Sequence, residues 1–167
     1  MREMVIYGVS FDLVGKSPIV LLKTADGNKF LPIWIGHPEA QSILMKLQGA
    51  APPRPMTHDL VTDMLDQLNA SVIKISVTEM RDNTYFAQIT LSIDGSEIEI
   101  DSRPSDAIAL ALRADDAKIF VDERVIEESA IEFEDGEVNE EEVAAFRSFL
   151  DNVSAAEFAV EDGEEEE

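Results

Sequence analysis

The chain contains no cysteine, which excludes disulfide staples, cysteine-held zinc or iron–sulfur clusters and any thiol nucleophile. The opening stretch "MREMVIYGVSF" lacks a basic region followed by a long apolar core, and no stretch approaches the roughly 18 apolar residues of a membrane span. The expectation is a cytoplasmic protein that makes no membrane contact. Gly-rich phosphate loops, HExxH zinc helices, nucleophile elbows and the aromatic–basic pattern of a single-strand binding face are also missing. What chemistry remains must be run by carboxylates, arginine and the two histidines.

The 167 residues are 45% hydrophobic and 29% charged, which suits one well-buried domain with an appendage. The net charge of -22 is unevenly spread. Residues 1–126 carry 18 acids against 12 Lys and Arg, whereas residues 127–167 carry 17 acids against Arg147 alone. A field of that sign repels polyanions unless a local basic patch or a metal ion intervenes. The boundaries expected are a folded domain over 1–128, an acidic segment with a short amphipathic helix over 129–154, and a disordered acidic tail over 155–167. The helix in that segment is read from "NEEEVAAFRSFLDNV" (Asn139 to Val153), where Asn139 and Glu142 resemble a capping box ahead of Val143, Phe146 and Leu150.

Met4 to Leu13, Pro18 to Thr24 and "KFLPIWIG" read as three strands joined by tight turns, with Pro32 placing an edge or bulge in the third. Trp34 reads as a core aromatic. From Pro38 the period changes to a helix with Ala40, Ile43, Leu44 and Leu47 on one face, ended by Gly49. "APPRPM" cannot be helical. Thr57 then reads as the N-cap of a second helix with the stripe Leu60, Val61, Met64, Leu65 and Leu68. Ser71 to Arg81, Thr84 to Ile93 and Ser96 to Ser102 form an antiparallel meander, separated by the two-residue hairpin signals Asp82-Asn83 and Asp94-Gly95. "RPSDAIALALR" starts a helix at Pro104 that leaves little face for solvent. Lys118 to Val121 is a short strand, and Asp122 to Glu128 a short helical or irregular segment. The fold class is α+β: two β-β-β-α units with a largely antiparallel sheet and a buried helix after "DSRPSD", followed by an acidic helix and tail.

Three helix starts carry the polar residues. They are His37 with Glu39, then Arg54 with His58 and Asp59, then Asp101, Arg103, Ser105 and Asp106. Each first-turn acid alone is explained by the helix dipole, at roughly 0.3–1 kcal/mol. Brought together, the same residues make a pocket whose carboxylates hold a divalent cation, whose arginines clamp phosphate and whose histidine moves protons.

"LPIWIGHPEAQSI", "RPMTHDL" and "IDSRPSDAIALALR", in this order, resemble the bifunctional nuclease domain family of bacteria and plants over about Met4 to Ile126. The resemblance implies a compact α+β domain that cleaves DNA and RNA, with candidate residues Glu39, Arg54, Thr57, His58, Asp59, Asp101, Arg103, Ser105 and Asp106. In that reading Asp101, Asp106 and Glu39 hold Mg2+ or Mn2+ and Arg54 and Arg103 take the phosphate with Thr57 and Ser105. His58, Asp59, Asp101 and Asp106 carry the catalysis.

Two other readings of the residues stand beside it. One is a non-catalytic regulatory module whose acidic tail binds a basic protein partner or acts as a nucleic-acid mimic. The other is a binder of a small anionic metabolite at the helix N-termini. Exposed strand edges favour a homo-oligomer whichever reading holds, the nuclease included.

Overall fold

Alternating apolar residues and two-residue turns build most of the architecture. The computed structural model describes residues 1–12 and 16–132. The first meander comprises β1 (Arg2–Asp12), β2 (Ser17–Thr24) and β3 (Lys29–Trp34), followed by helices α1 (His37–Leu47) and α2 (Thr57–Gln67). The second comprises β4 (Ala70–Arg81), β5 (Thr84–Ile93) and β6 (Ser96–Ser102), followed by α3 (Pro104–Ala111). Then come β7 (Lys118–Val121), α4 (Glu123–Ser129) and β8 (Ile131–Glu132). Both residues of the turn Asp82-Asn83 and both of Asp94-Gly95 have positive φ, between 50° and 81°. That is the backbone of the two-residue turn whose twist matches the flanking strands.

The strands join one mixed sheet in the order β6-β5-β4-β7-β1-β2-β3-β8. β7 unites the meanders, pairing parallel with β4 and antiparallel with β1. Pro32 sits opposite Leu21 of β2, and β8 reaches only as far as Lys29 and Phe30. The missing donor of Pro32 therefore lies on an open edge, as its chemistry requires. Four strands separate β5 from β3, yet the Tyr85 hydroxyl of β5 donates to the Pro32 carbonyl of β3 at 3.3 Å. The sheet therefore curls until its two arms meet.

Helix α3 lies in the hollow of this sheet. Pro104, Ser105, Ala107, Ile108, Ala109, Leu110 and Ala111 are all buried, and the three alanines let the helix backbone approach α1, α2, β4, β5 and β7 closely. Burial of Ile108 and Leu110 contributes roughly 1.5–3 kcal/mol each. α1 sets Ala40, Ile43 and Leu44 against the same core, and Gly49, at φ 68°, turns the chain away after it.

Three expectations are corrected. Thr57 is not the N-cap of α2: Met56 holds that place in extended geometry, and the Asp59 carboxylate caps it by accepting the Met56 N–H at 2.9 Å. The stripe of α2 is only partly used, because Val61 and Leu65 pack on the core while Leu60, Met64 and Leu68 stay exposed. Trp34 is not in the core but 55% exposed, since Leu31 and Ile33 take the inward parity of β3 and leave Phe30, Pro32 and Trp34 outward. The expected acidic helix over Asn139 to Val153 and the tail lie outside the described residues.

Candidate active site

Rigid helix starts carry the polar residues. Pro38 and Pro104 pre-set the first turns of α1 and α3, so Glu39 and Asp106 leave their backbones at positions fixed by buried helices. Arg103, in extended geometry, is the last residue before α3. His58 stands at the second position of α2.

These residues form one continuous chain of hydrogen bonds. The Ser42 hydroxyl meets His58 Nδ1 at 2.8 Å, and His58 Nε2 meets Asp106 Oδ1 at 2.9 Å. Arg103 Nε donates to Asp106 Oδ2 at 2.7 Å, and Arg103 Nη2 donates to Glu39 Oε1 at 2.9 Å. Residues 48 positions apart (His58 and Asp106) and 64 apart (Arg103 and Glu39) are thus joined. With Asp106 ionised, Nε2 donates to it and Nδ1 accepts from Ser42, which sets the tautomer of the imidazole. Burial pushes the Asp106 carboxyl up, but the hydrogen bonds from Arg103 and His58 outweigh it and hold the group below the ordinary aspartate value. The bonds to Asp106 and Glu39 in turn raise Arg103 above its usual value.

A second cluster fastens α2 to α3. Arg113 Nε donates to Asp59 Oδ1 at 2.6 Å, while its other nitrogens donate to the carbonyls of Ala109 and Ser42 at 2.9 and 3.2 Å. Both oxygens of Asp59 are therefore occupied, one by Arg113 and one by the Met56 N–H. Burial raises the Asp59 carboxyl, yet these partners bring it below the ordinary value. Adjacent residues at the start of α2, His58 and Asp59, thereby reach Asp106 in the first turn of α3 and Arg113 beyond its end.

Of the residues expected from sequence, Glu39, His58, Arg103 and Asp106 come together. Ser105 is buried in the first turn of α3 and lines the adjoining cleft. Thr57 is exposed at the start of α2, and Asp101 is exposed on β6 opposite Gln88. Among the described residues, Arg54 and Asp101 make no hydrogen bond with the network. His37 packs against the Phe11 ring, with centroids 5.9 Å apart. Ser42, only 4% exposed, and Arg113, whose side chain is 6% exposed, were not anticipated.

Among the described residues, no three acidic, histidine or cysteine side chains form a group that could hold a metal, so Asp101 does not complete a site with Glu39 and Asp106. The Arg103 guanidinium bridges Glu39 and Asp106, where a cation between those two carboxylates would have to sit.

A curled mixed sheet wrapped around a buried helix, with a serine–histidine–aspartate–arginine–glutamate hydrogen-bond chain at the helix starts, defines an α+β domain with a polar network at one end of its buried helix. The chain belongs to the bifunctional nuclease domain family, whose family model matches residues 20–134. An uncharacterised protein of Mycobacterium tuberculosis is 35% identical over 165 residues, covering 95% of this chain and 98% of its own length. Bifunctional nuclease 1 of Oryza sativa subsp. japonica is 32% identical over 98 residues, covering 56% of this chain and 30% of the rice protein. Bifunctional nuclease 1 of Arabidopsis thaliana is 33% identical over 100 residues, 58% of this chain and 31% of its own length.

Proposed function

We propose that the chain is a nuclease that hydrolyses phosphodiester bonds of DNA, RNA or both, with its active site at the Ser42–His58–Asp106–Arg103–Glu39 chain. The observation that carries this reading is Asp106 held by His58 on one oxygen and by Arg103 on the other. The plant relatives named as bifunctional nucleases support the same assignment.

Each residue has a role that its surroundings suit. Arg103, with its side chain 65% exposed, spends two of its N–H donors on carboxylates and keeps the rest for phosphate oxygens. An incoming phosphate displaces Glu39 from the guanidinium, exchanging one anion for another. Asp106, whose side chain is 29% exposed, meets the attacking water and takes its proton. His58 stands behind it, its Nε2–H donating to Asp106 Oδ1 so that the carboxylate is held in place, and Asp106 returns the proton it took to the leaving oxygen. Asp59 keeps α2 in place and touches no substrate. A divalent cation between Glu39 and Asp106 requires Arg103 to leave first.

The test is cleavage of single-stranded DNA, RNA and duplex DNA by the purified chain, with Mg2+, with Mn2+ and with chelator in separate reactions. Cutting of at least one polymer supports the reading, and the chelator arm reports whether a divalent ion takes part. No cutting of any polymer under any condition overturns it.

A further inference from the structure

Beside Arg103 the curl of the sheet leaves a cleft of about 360 Å3, lined among others by Trp34, Tyr85, Asn83, Arg103 and Ser105. That volume is within the range of about 300–1,000 Å3 typical of small-ligand sites. Trp34 is 55% exposed here, its indole outward at the end of β3. Tyr85 supplies a fixed wall, because its hydroxyl is bonded to the Pro32 carbonyl on the opposite arm. Asn83 adds an amide able to donate and accept, on a turn backbone of φ 57°.

We infer that this cleft is a nucleobase subsite: it seats one unpaired base of a single-stranded nucleic acid on Trp34 while Arg103 holds the adjoining phosphate. The identity of the ligand rests on the nuclease reading. The chemistry rests on the cleft itself, because an exposed aromatic face beside an arginine is the combination that takes a base and its phosphate with little regard to sequence. A base inside a duplex is stacked on its neighbours and cannot enter without being extruded, at an unstacking cost of a few kcal/mol. Single strands are therefore the preferred substrate class, and the preference is set at Trp34.

Trp34 is the one tryptophan of the chain, so fluorescence excited at the red edge of its absorption, beyond the tyrosine band, reports on the subsite. The experiment titrates the full chain with an eight-nucleotide phosphorothioate thymidine strand, the same strand made abasic, and a blunt duplex, while cleavage of ordinary strands is measured separately. The expected result is saturable quenching by the single strand and little by the abasic strand or the duplex. In fluorescence anisotropy with a labelled strand, Trp34→Ala should weaken binding about five-fold or more. Trp34→Phe, which keeps a stacking face, should retain most of it. Equal quenching by the abasic strand, no quenching, or unchanged affinity in Trp34→Ala each overturns the subsite. Cleavage without quenching refutes the subsite and leaves the nuclease reading standing; quenching without cleavage does the reverse.

Discussion

Replacing Asp59 by alanine should cost stability out of proportion to its partly exposed position. Its partner Arg113 has a side chain only 6% exposed and bonds Asp59 at 2.6 Å. Removing one member of a buried pair leaves an uncompensated charge, at about 3–5 kcal/mol when burial is complete. Two features reduce that figure here: Asp59 itself is 28% exposed, so water can enter its place, and Arg113 keeps the carbonyls of Ala109 and Ser42. A loss of about 2–3 kcal/mol follows. For a body of this size that is a fall in Tm of about 6–15 °C, read by circular dichroism at pH 7. The pair Asp59→Leu with Arg113→Met, which removes both charges together, should recover much of the loss. Asp59→Ala melting within about 2 °C of the parent would refute the claim that this pair clamps α2 to α3.

Four further outcomes follow from the same geometry. Asp106→Asn keeps the shape of the side chain but sets an amide against a donor, so kcat should fall about 10²–10⁴-fold, with a change in Tm of only a few degrees because Arg103 retains Glu39. Asp59 and Asp106 both have folded values below the ordinary 3.8, so their stabilising contribution is complete above that pH and is lost as pH falls through the lower folded values. An acid titration should therefore unfold the parent more steeply below about pH 4 than Asp59→Asn, which has one fewer such group. A methyl group on Gly36 would collide with the Glu39 carboxylate, and because that carboxylate ends a flexible side chain, Gly36→Ala should cost little stability while dislodging Glu39 from Arg103 and changing KM. Truncation after Glu132 removes most of the acids of residues 127–167 and should speed cleavage at low salt, the gain shrinking as salt screens the field.

Much of the fold was legible because its signals are local. The turns at Asp82-Asn83 and Asp94-Gly95, the prolines opening α1 and α3, and Gly49 after α1 each state a backbone requirement in one or two residues. The place of β7 between β4 and β1 was not legible, since strand pairing over such separations leaves no trace in Lys118 to Val121 themselves. At the site, Glu39, His58, Arg103 and Asp106 were readable as polar residues at helix starts. Ser42 was hidden inside an apolar helical run and Arg113 at the end of another. A buried-helix reading of "AIALALR" could have asked which carboxylate Arg113 meets, because a guanidinium there must be paired. Strict alternation along Leu31, Ile33 and Ile35 could likewise have turned Trp34 outward. The apolar stripe of α2 misled for the opposite reason, as five apolar positions cover a wider arc than α3 and β4 can meet.

The site assignment turns on His58, which lies behind the carboxylate and bonds both Ser42 of α1 and Asp106 of α3. The decisive measurement is single-turnover cleavage of a single-stranded oligonucleotide by His58→Gln beside the parent, both checked by thermal melting. A folded variant that has lost at least about a hundred-fold in rate is the predicted result. A folded variant that cuts at the parental rate would contradict the assignment of this network as the active site.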